Sequence, residues 1–130
     1  MTAANARLRE NQWDSPVGRV CQVAVDGRRA TRALAQWAAP FQLSESELQI
    51  LWRLHASTGQ GVDQTTLATL LALSPAQVSA CVEKLRGREL IVHQSDNGDR
   101  RRHLWQLSTN GCDVLHSIVV AAGESREAAA

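Results

Sequence analysis

The densest group of chemically active side chains is Asp99-Arg100-Arg101-Arg102-His103. Three consecutive guanidinium groups with an imidazole beside them suit one kind of work, pairing with phosphate oxygens. The planar fork of Arg presents several N–H donors at once and fits a narrow minor groove. Lys84, Arg86 and Arg88 add positive charge a short way upstream. Between them and Ser74 lies Gln77, whose amide can bond an adenine edge through two contacts. Ser74 and Ser79 flank it with hydroxyls of the kind that contact nucleic acid. The candidate DNA-binding set is therefore Ser74, Gln77, Ser79, Lys84, Arg100, Arg101, Arg102 and His103. Two plainer alternatives stand beside it. The arginines can be a solvated hairpin tip, and Gln77 can be a helix cap.

The other reactive residues give no comparable pattern. The chain carries no G-x-S-x-G, no H-E-x-x-H and no phosphate-cradling glycine loop, so an enzyme is not expected. His55, His93, His103 and His116 are scattered without metal-ligand spacing, and no metal or cofactor is expected. Cys21, Cys81 and Cys112 are an odd number, far apart, without a C-x-x-C pair. That is not a disulfide framework and fits a reducing compartment. A reactive thiol needs a positive neighbour or a helix N-terminus. Cys21 has only Arg19 close in sequence, so packing is the plainer role for all three. Trp37, Trp52 and Trp105 read as anchors of a core or an interface.

These residues sit in a chain of 130, with 14 Lys plus Arg against 13 Asp plus Glu and a net charge of +1. A near-neutral total excludes a histone-like binder working by bulk charge, so any nucleic-acid contact must come from a local patch. The 44% hydrophobic and 21% charged residues are those of an ordinary globular domain and exclude a disordered tail protein. No stretch approaches the ~20 apolar residues of a membrane span. Met1 to Asp14 lacks the apolar centre of a signal peptide. A cytoplasmic protein with no membrane partner is expected.

The elements that must position the basic group follow from periodicity. Residues 1–15 read as a flexible arm ending at Ser15-Pro16. A first helix runs from about Val17 to Ala39, with Val17, Val20, Cys21, Ala24, Thr31, Leu34 and Ala38 as its stripe and Pro40 as its stop. Gly27 weakens its middle by roughly 1 kcal/mol relative to Ala. Ser44-Glu45-Ser46-Glu47 is a capping box that opens a second helix, carrying Leu48, Leu51, Trp52 and His55. A short helix follows over about Gln64 to Leu71. Ser74-Pro75-Ala76-Gln77 is a second capping box with Pro at the first helical position, and Val78, Cys81, Val82 and Leu85 share one face of the helix it opens. Two short helices joined by a tight turn are a helix-turn-helix.

Past Leu90 the period changes. Ile91–Gln94 and His103–Leu107 read as two strands around Ser95-Asp96-Asn97-Gly98-Asp99, where Asn97-Gly98 is a strong hairpin signal. Ser108 caps a last helix with Leu115, Ile118, Val119 and Ala122 as its stripe. A helix-turn-helix followed at once by a basic hairpin is a winged helix. One helix has the width of the major groove, and the hairpin beside it is level with the flanking phosphates and minor groove. Asp99, Asn97 and Gly98 would shape the wing.

At these residues the sequence resembles the multiple-antibiotic-resistance regulator (MarR) family of bacterial transcription factors. Leu43-Ser44-Glu45-Ser46-Glu47-Leu48-Gln49-Ile50-Leu51 resembles that family's second-helix opening, and Leu67 through Ser79 resembles its helix-turn-helix. Asp99-Arg100-Arg101 followed by Leu107-Ser108-Thr109-Asn110-Gly111 resembles its wing and the entry to its next helix. Ala72 and Glu89 stand where family members often have Gly. The resemblance implies a homodimer with interlocking first and last helices, reading a pseudo-palindrome. It implies that Arg101 or Arg100 enters the minor groove while Asp99 holds an Arg by a salt bridge. It also implies a cleft for a small aromatic effector, which Trp37, Trp52 or Trp105 can line. Hydroperoxide-sensing members carry a reactive thiol in the first helix, roughly where Cys21 falls. Those sensors rely on Tyr partners, and this chain has no Tyr.

The expected fold is mainly α (α+β), a winged helix-turn-helix with N- and C-terminal dimerisation helices. The expected organisation is an arm over 1–15, the winged-helix domain with its flanking helices over 16–124, and a frayed tail over 125–130. The expected function is a regulator, a repressor, that binds a pseudo-palindromic duplex as a homodimer. Two alternatives stay open at this point: a winged-helix protein-interaction module, and a redox-sensing regulator acting through Cys21.

Overall fold

A computed structural model of the protein describes residues 14–57, 59–95 and 103–129. Five helices and a hairpin follow in the order α1 (Pro16–Ala38), α2 (Glu45–Ala56), α3 (Gln64–Leu71), α4 (Pro75–Gly87), β1 (Ile91–Ser95), β2 (His103–Leu107) and α5 (Thr109–Ala129). The expected helices and strands are present, the arm expected over 1–15 lies outside the described residues except for its last two, and α5 extends through residues 125–129, where a frayed tail was expected. Among the described residues no single helix is long and apolar enough to cross a membrane.

The chain divides into two compact units, residues 1–33 and 34–130. The first holds most of α1. Ser15 starts that helix: its carbonyl accepts from the Arg19 amide and its hydroxyl from the Gly18 amide, at 3.0 and 3.2 Å. The helix continues through Gly27, and Gln22 donates to Asp26 one turn on, at 3.0 Å. The expected stripe of this helix is covered only towards its end: Cys21 and Ala24 are exposed, Thr31 is partly buried, and Leu34 packs against the core. Val17, Val20 and Val23 are exposed, and Ala38, in the last turn, is the buried residue of α1.

The second unit is built around one apolar core. Ile50, Leu51, Leu67, Val78, Val82, Leu85 and Ile91 are its largest fully buried side chains, joined by Trp105, Leu115 and Ile118. Each helix enters on a side-chain cap. The Ser44 hydroxyl accepts from the Glu47 amide at 3.1 Å, and the Ser44 amide donates back to the Glu47 carboxylate at 2.9 Å. That bond explains how Glu47 is buried without cost beyond its desolvation. Asp63 caps α3 by accepting from the Thr66 amide at 2.7 Å. On α2 the buried row is Leu48, Ile50, Leu51 and Leu54. Trp52 and His55, expected on that row, are exposed instead, with ring centroids 5.9 Å apart. Leu54 takes the place in the core that the expected stripe gave to its bulkier neighbours.

The two strands pair antiparallel, Ile91 with Leu107 through Ser95 with His103. A third, one-residue rung was not expected. Val62 and Trp105 exchange both backbone hydrogen bonds, each at 2.9 Å. Gly61 makes this possible, because a Cβ there would stand 2.5 Å from the Leu104 Cβ. The rung ties the loop before α3 to the hairpin, so helix-turn-helix and hairpin share one frame.

Candidate nucleic-acid interface

On α4 the sequence divides cleanly into two faces. Val78, Val82 and Leu85 are buried, while Ser74, Gln77, Ser79 and Lys84 all face solvent. The expected capping box is formed and consumes part of the expected reading chemistry. The Ser74 hydroxyl accepts from the Gln77 amide at 3.1 Å, and the Ser74 amide donates to Gln77 Oε1 at 2.9 Å. A two-contact bond to adenine needs both ends of the Gln side chain. Here Oε1 has one lone pair engaged, and its second lone pair and the Nε2 donors remain for other partners.

The upstream cations do not act alike. Arg88, grouped with Lys84 and Arg86 as added interface charge, is a structural clamp. Its Nη1 donates to the Gln42 carbonyl at 2.8 Å and its Nη2 to the Phe41 carbonyl at 2.9 Å. Those carbonyls end the 3-10 turn Ala39–Phe41 that follows α1, so Arg88 binds the end of α4 to the entry of α2. Sequence spacing could not show this, because the partners are 46 and 47 residues away and are backbone atoms. Arg86 lies 3.8 Å from Glu83, both well exposed; such a pair contributes little. Glu83 faces solvent on the same helix as Gln77 and Lys84.

The hairpin leaves α4 after three residues. Its described end is His103, exposed on β2, whose Nδ1 meets Nε2 of His93 on β1. Asn97, Gly98, Asp99, Arg100, Arg101 and Arg102 lie outside the described residues.

The root of the wing is fixed by residues of the expected L-S-x-x-G pattern. The Ser108 hydroxyl donates to the Glu89 carbonyl at 2.6 Å and accepts from the Gly111 amide at 2.9 Å. The Ser108 amide donates to the Leu90 carbonyl at 3.1 Å. Ser108 therefore caps α5 and holds it to the end of α4 at once. Gly111 is buried against Leu90, where a Cβ would meet the carbonyl oxygen at 2.0 Å.

Cys81 is half-buried on α4. Burial first, and the Glu47 carboxylate second, push its thiol above the ordinary cysteine range, against a smaller opposing effect of Lys84. That direction suits a packed thiol more than a reactive one. Cys21 and Cys112 are exposed. Among the described residues no group of three or more His, Cys, Asp or Glu side chains is placed to hold a metal ion. A cavity of about 410 Å³ opens in the second unit, walled chiefly by Trp37, Leu48, Trp52, Leu115, Ile118 and Val119. Trp37 and Trp52 thus reach it, while Trp105 is in the core. Arg53 also lines the cavity, and its buried Nε has no hydrogen-bond partner among the described residues.

Two capped helices across a tight turn, the second with a polar outer face and a hairpin rooted at its end, define a winged helix-turn-helix protein. Residues 43–103 match the MarR family. The chain is 28% identical over 130 residues to the HTH-type transcriptional repressor NicR of Pseudomonas putida, covering 97% of this chain and 78% of that protein. Its fold is that of wild-type MarR from E. coli in the apo form, with a TM-score of 0.73 and 15% identity over 85% of this chain and 78% of that one. It is likewise that of a MepR variant from S. aureus bound to an oligodeoxyribonucleotide, with a TM-score of 0.69 and 19% identity over 85% of this chain and 80% of that one. The chain is thus a winged helix-turn-helix protein that is similar to the MarR family over residues 43–103.

Proposed function

We propose that the protein binds a pseudo-palindromic duplex as a homodimer and represses transcription, with α4 in the major groove and the Arg-rich wing at the minor groove. The observation that carries this reading is the division of α4. Its apolar side is fully consumed by the core, and Ser74, Gln77, Ser79 and Lys84 are left on the face a groove would meet. Phosphate contacts from Lys84, His103 and Arg100, Arg101 and Arg102 give affinity, while Gln77 and Ser79 give sequence preference. Asn97, Gly98 and Asp99 set the wing's shape. The exposed Val17, Val20 and Val23, three residues apart on α1, and Val119 and Val120 of α5 support a dimer, because they offer apolar surface that a partner could cover. The cavity lined by Trp37 and Trp52 suits a small aromatic effector, and the buried Arg53 Nε favours one that carries a hydrogen-bond acceptor.

In vitro selection from a random DNA pool tests the reading. The expected product is an inverted repeat whose half-sites lie about 10 base pairs, or a multiple of that, from centre to centre. No enrichment, together with passage through heparin at low salt, would replace it with a protein-docking module. Within the wing, Arg101→Ala is expected to weaken binding to all sequences and to flatten the salt dependence by about one unit. Gel-shift titrations over a salt series measure this, and an unchanged slope rejects the wing contact.

A further inference from the structure

Towards the described end of the hairpin, two metal-ligating side chains meet, one of them the His103 of the DNA-binding set. His93 and His103 are ten residues apart, a separation that carries no ligand pattern along the chain. The strand register changes that. His93 pairs with Trp105 and Ser95 with His103, so the two histidines are diagonal neighbours on one face of the pair. Their ring centroids are 4.6 Å apart with the planes tilted 56°, and His93 Nε2 meets His103 Nδ1. Both side chains are exposed. His93 is also held from behind: Trp105, itself in the core, meets it edge-on at 5.4 Å and 78°. One imidazole is thus fixed by the core, and the other stands against it with a nitrogen turned inward.

In the apo pair, one of the facing nitrogens donates its N–H to the lone pair of the other. We propose that this pair binds one divalent transition-metal ion through His93 Nε2 and His103 Nδ1, with water completing the coordination. Imidazole nitrogen suits nickel, copper and zinc ions. Both inward nitrogens must offer lone pairs to the ion. The proton that lay between the rings therefore leaves through solvent to the outer nitrogen of the same imidazole, giving His93 Nδ1–H and His103 Nε2–H. No net proton is released from the neutral pair, and no oxidation is involved. The solvent-facing side provides the entry path and the water positions. The bound ion links β1 to β2 towards the described end of the strand pair and so stiffens that pairing.

The test uses the full chain and Ni²⁺. With ring-labelled histidine, the NMR signals of His93 and His103 are expected to broaden first, ahead of those of His55 and His116. His93→Gln and His103→Gln keep a polar, exposed side chain at each position, and each is expected to weaken Ni²⁺ binding by calorimetry about tenfold or more. Zn²⁺ is expected to raise the Tm of the parent protein and not that of either variant. Equal broadening of all four histidines, or variants that keep the parent affinity, would overturn the site. The NMR readout needs no variant and so decides the matter even where a substitution perturbs folding.

Discussion

At Gly111 an added Cβ would stand 2.0 Å from the Leu90 carbonyl oxygen and 3.0 Å from its carbon. That oxygen is also the acceptor for the Ser108 amide. Gly111→Ala must therefore push α5 away from the end of α4 and open the Ser108 bonds. The expected loss is about 3 kcal/mol, read as a lower midpoint in urea, and a midpoint within error of the parent would contradict the close approach. Gln77 poses the opposite question, since one side chain has two candidate uses. Glu closes a capping box as well as Gln does, but it has no amide donor and brings a negative charge towards phosphate. Gln77→Glu is expected to keep stability within about 0.5 kcal/mol of the parent while changing sequence preference and weakening DNA binding. Thermal melts and binding to a selected site separate the two roles; a fall in stability with binding intact would leave Gln77 as a cap alone.

Three helical segments end the same way, and none uses glycine. Gln42, Ala72 and Glu89 have φ of 59°, 53° and 59°. In each case the following Leu amide reaches back across the turn, Leu43 to Ala38, Leu73 to Ala68 and Leu90 to Leu85, at 3.0 to 3.2 Å. A second bond from the left-handed residue itself completes a Schellman closure. A side chain in this region costs about 1–2 kcal/mol. Glycine removes that strain but has more freedom to lose on folding. Ala72→Gly and Glu89→Gly are each expected to stabilise the protein by about 0.5–1 kcal/mol, a rise in Tm that calorimetry resolves. A fall at both would mean that these side chains make compensating contacts. The helix starts were legible in the sequence because Ser44 with Glu47 and Ser74 with Gln77 are local, side-chain-encoded signals. The helix stops were less legible. Without glycine the signal is a lone Leu after a polar or small residue, which many sequences carry. The Val62–Trp105 rung and the Arg88 clamp left no local signature, since each joins distant segments, and the clamp's acceptors and the rung's bonds are all backbone.

At the scale of the molecule, the winged helix was legible because its parts are consecutive, whereas burial was read poorly wherever it depends on another surface. The stripe of α1 is helical as expected, yet its Val17, Val20 and Cys21 lie in solvent, because periodicity shows which residues share a side and not what covers it. On the homodimer reading, Val20→Glu is expected to raise the dissociation constant of the dimer by at least about tenfold, the effect of ~1.4 kcal/mol. Sedimentation velocity across concentration checks it, and a parent protein that is monomeric throughout would remove the dimer from the proposal. Ser108 is the single residue between the end of β2 and the start of α5, and its hydroxyl and amide are both spent on the two residues that lead into β1. A joint with no spare length cannot absorb displacement. On the dimer and effector readings, a tilt of α5 from a second subunit or from a molecule against Ile118 and Val119 would load these bonds first, like a lever turning on a pin.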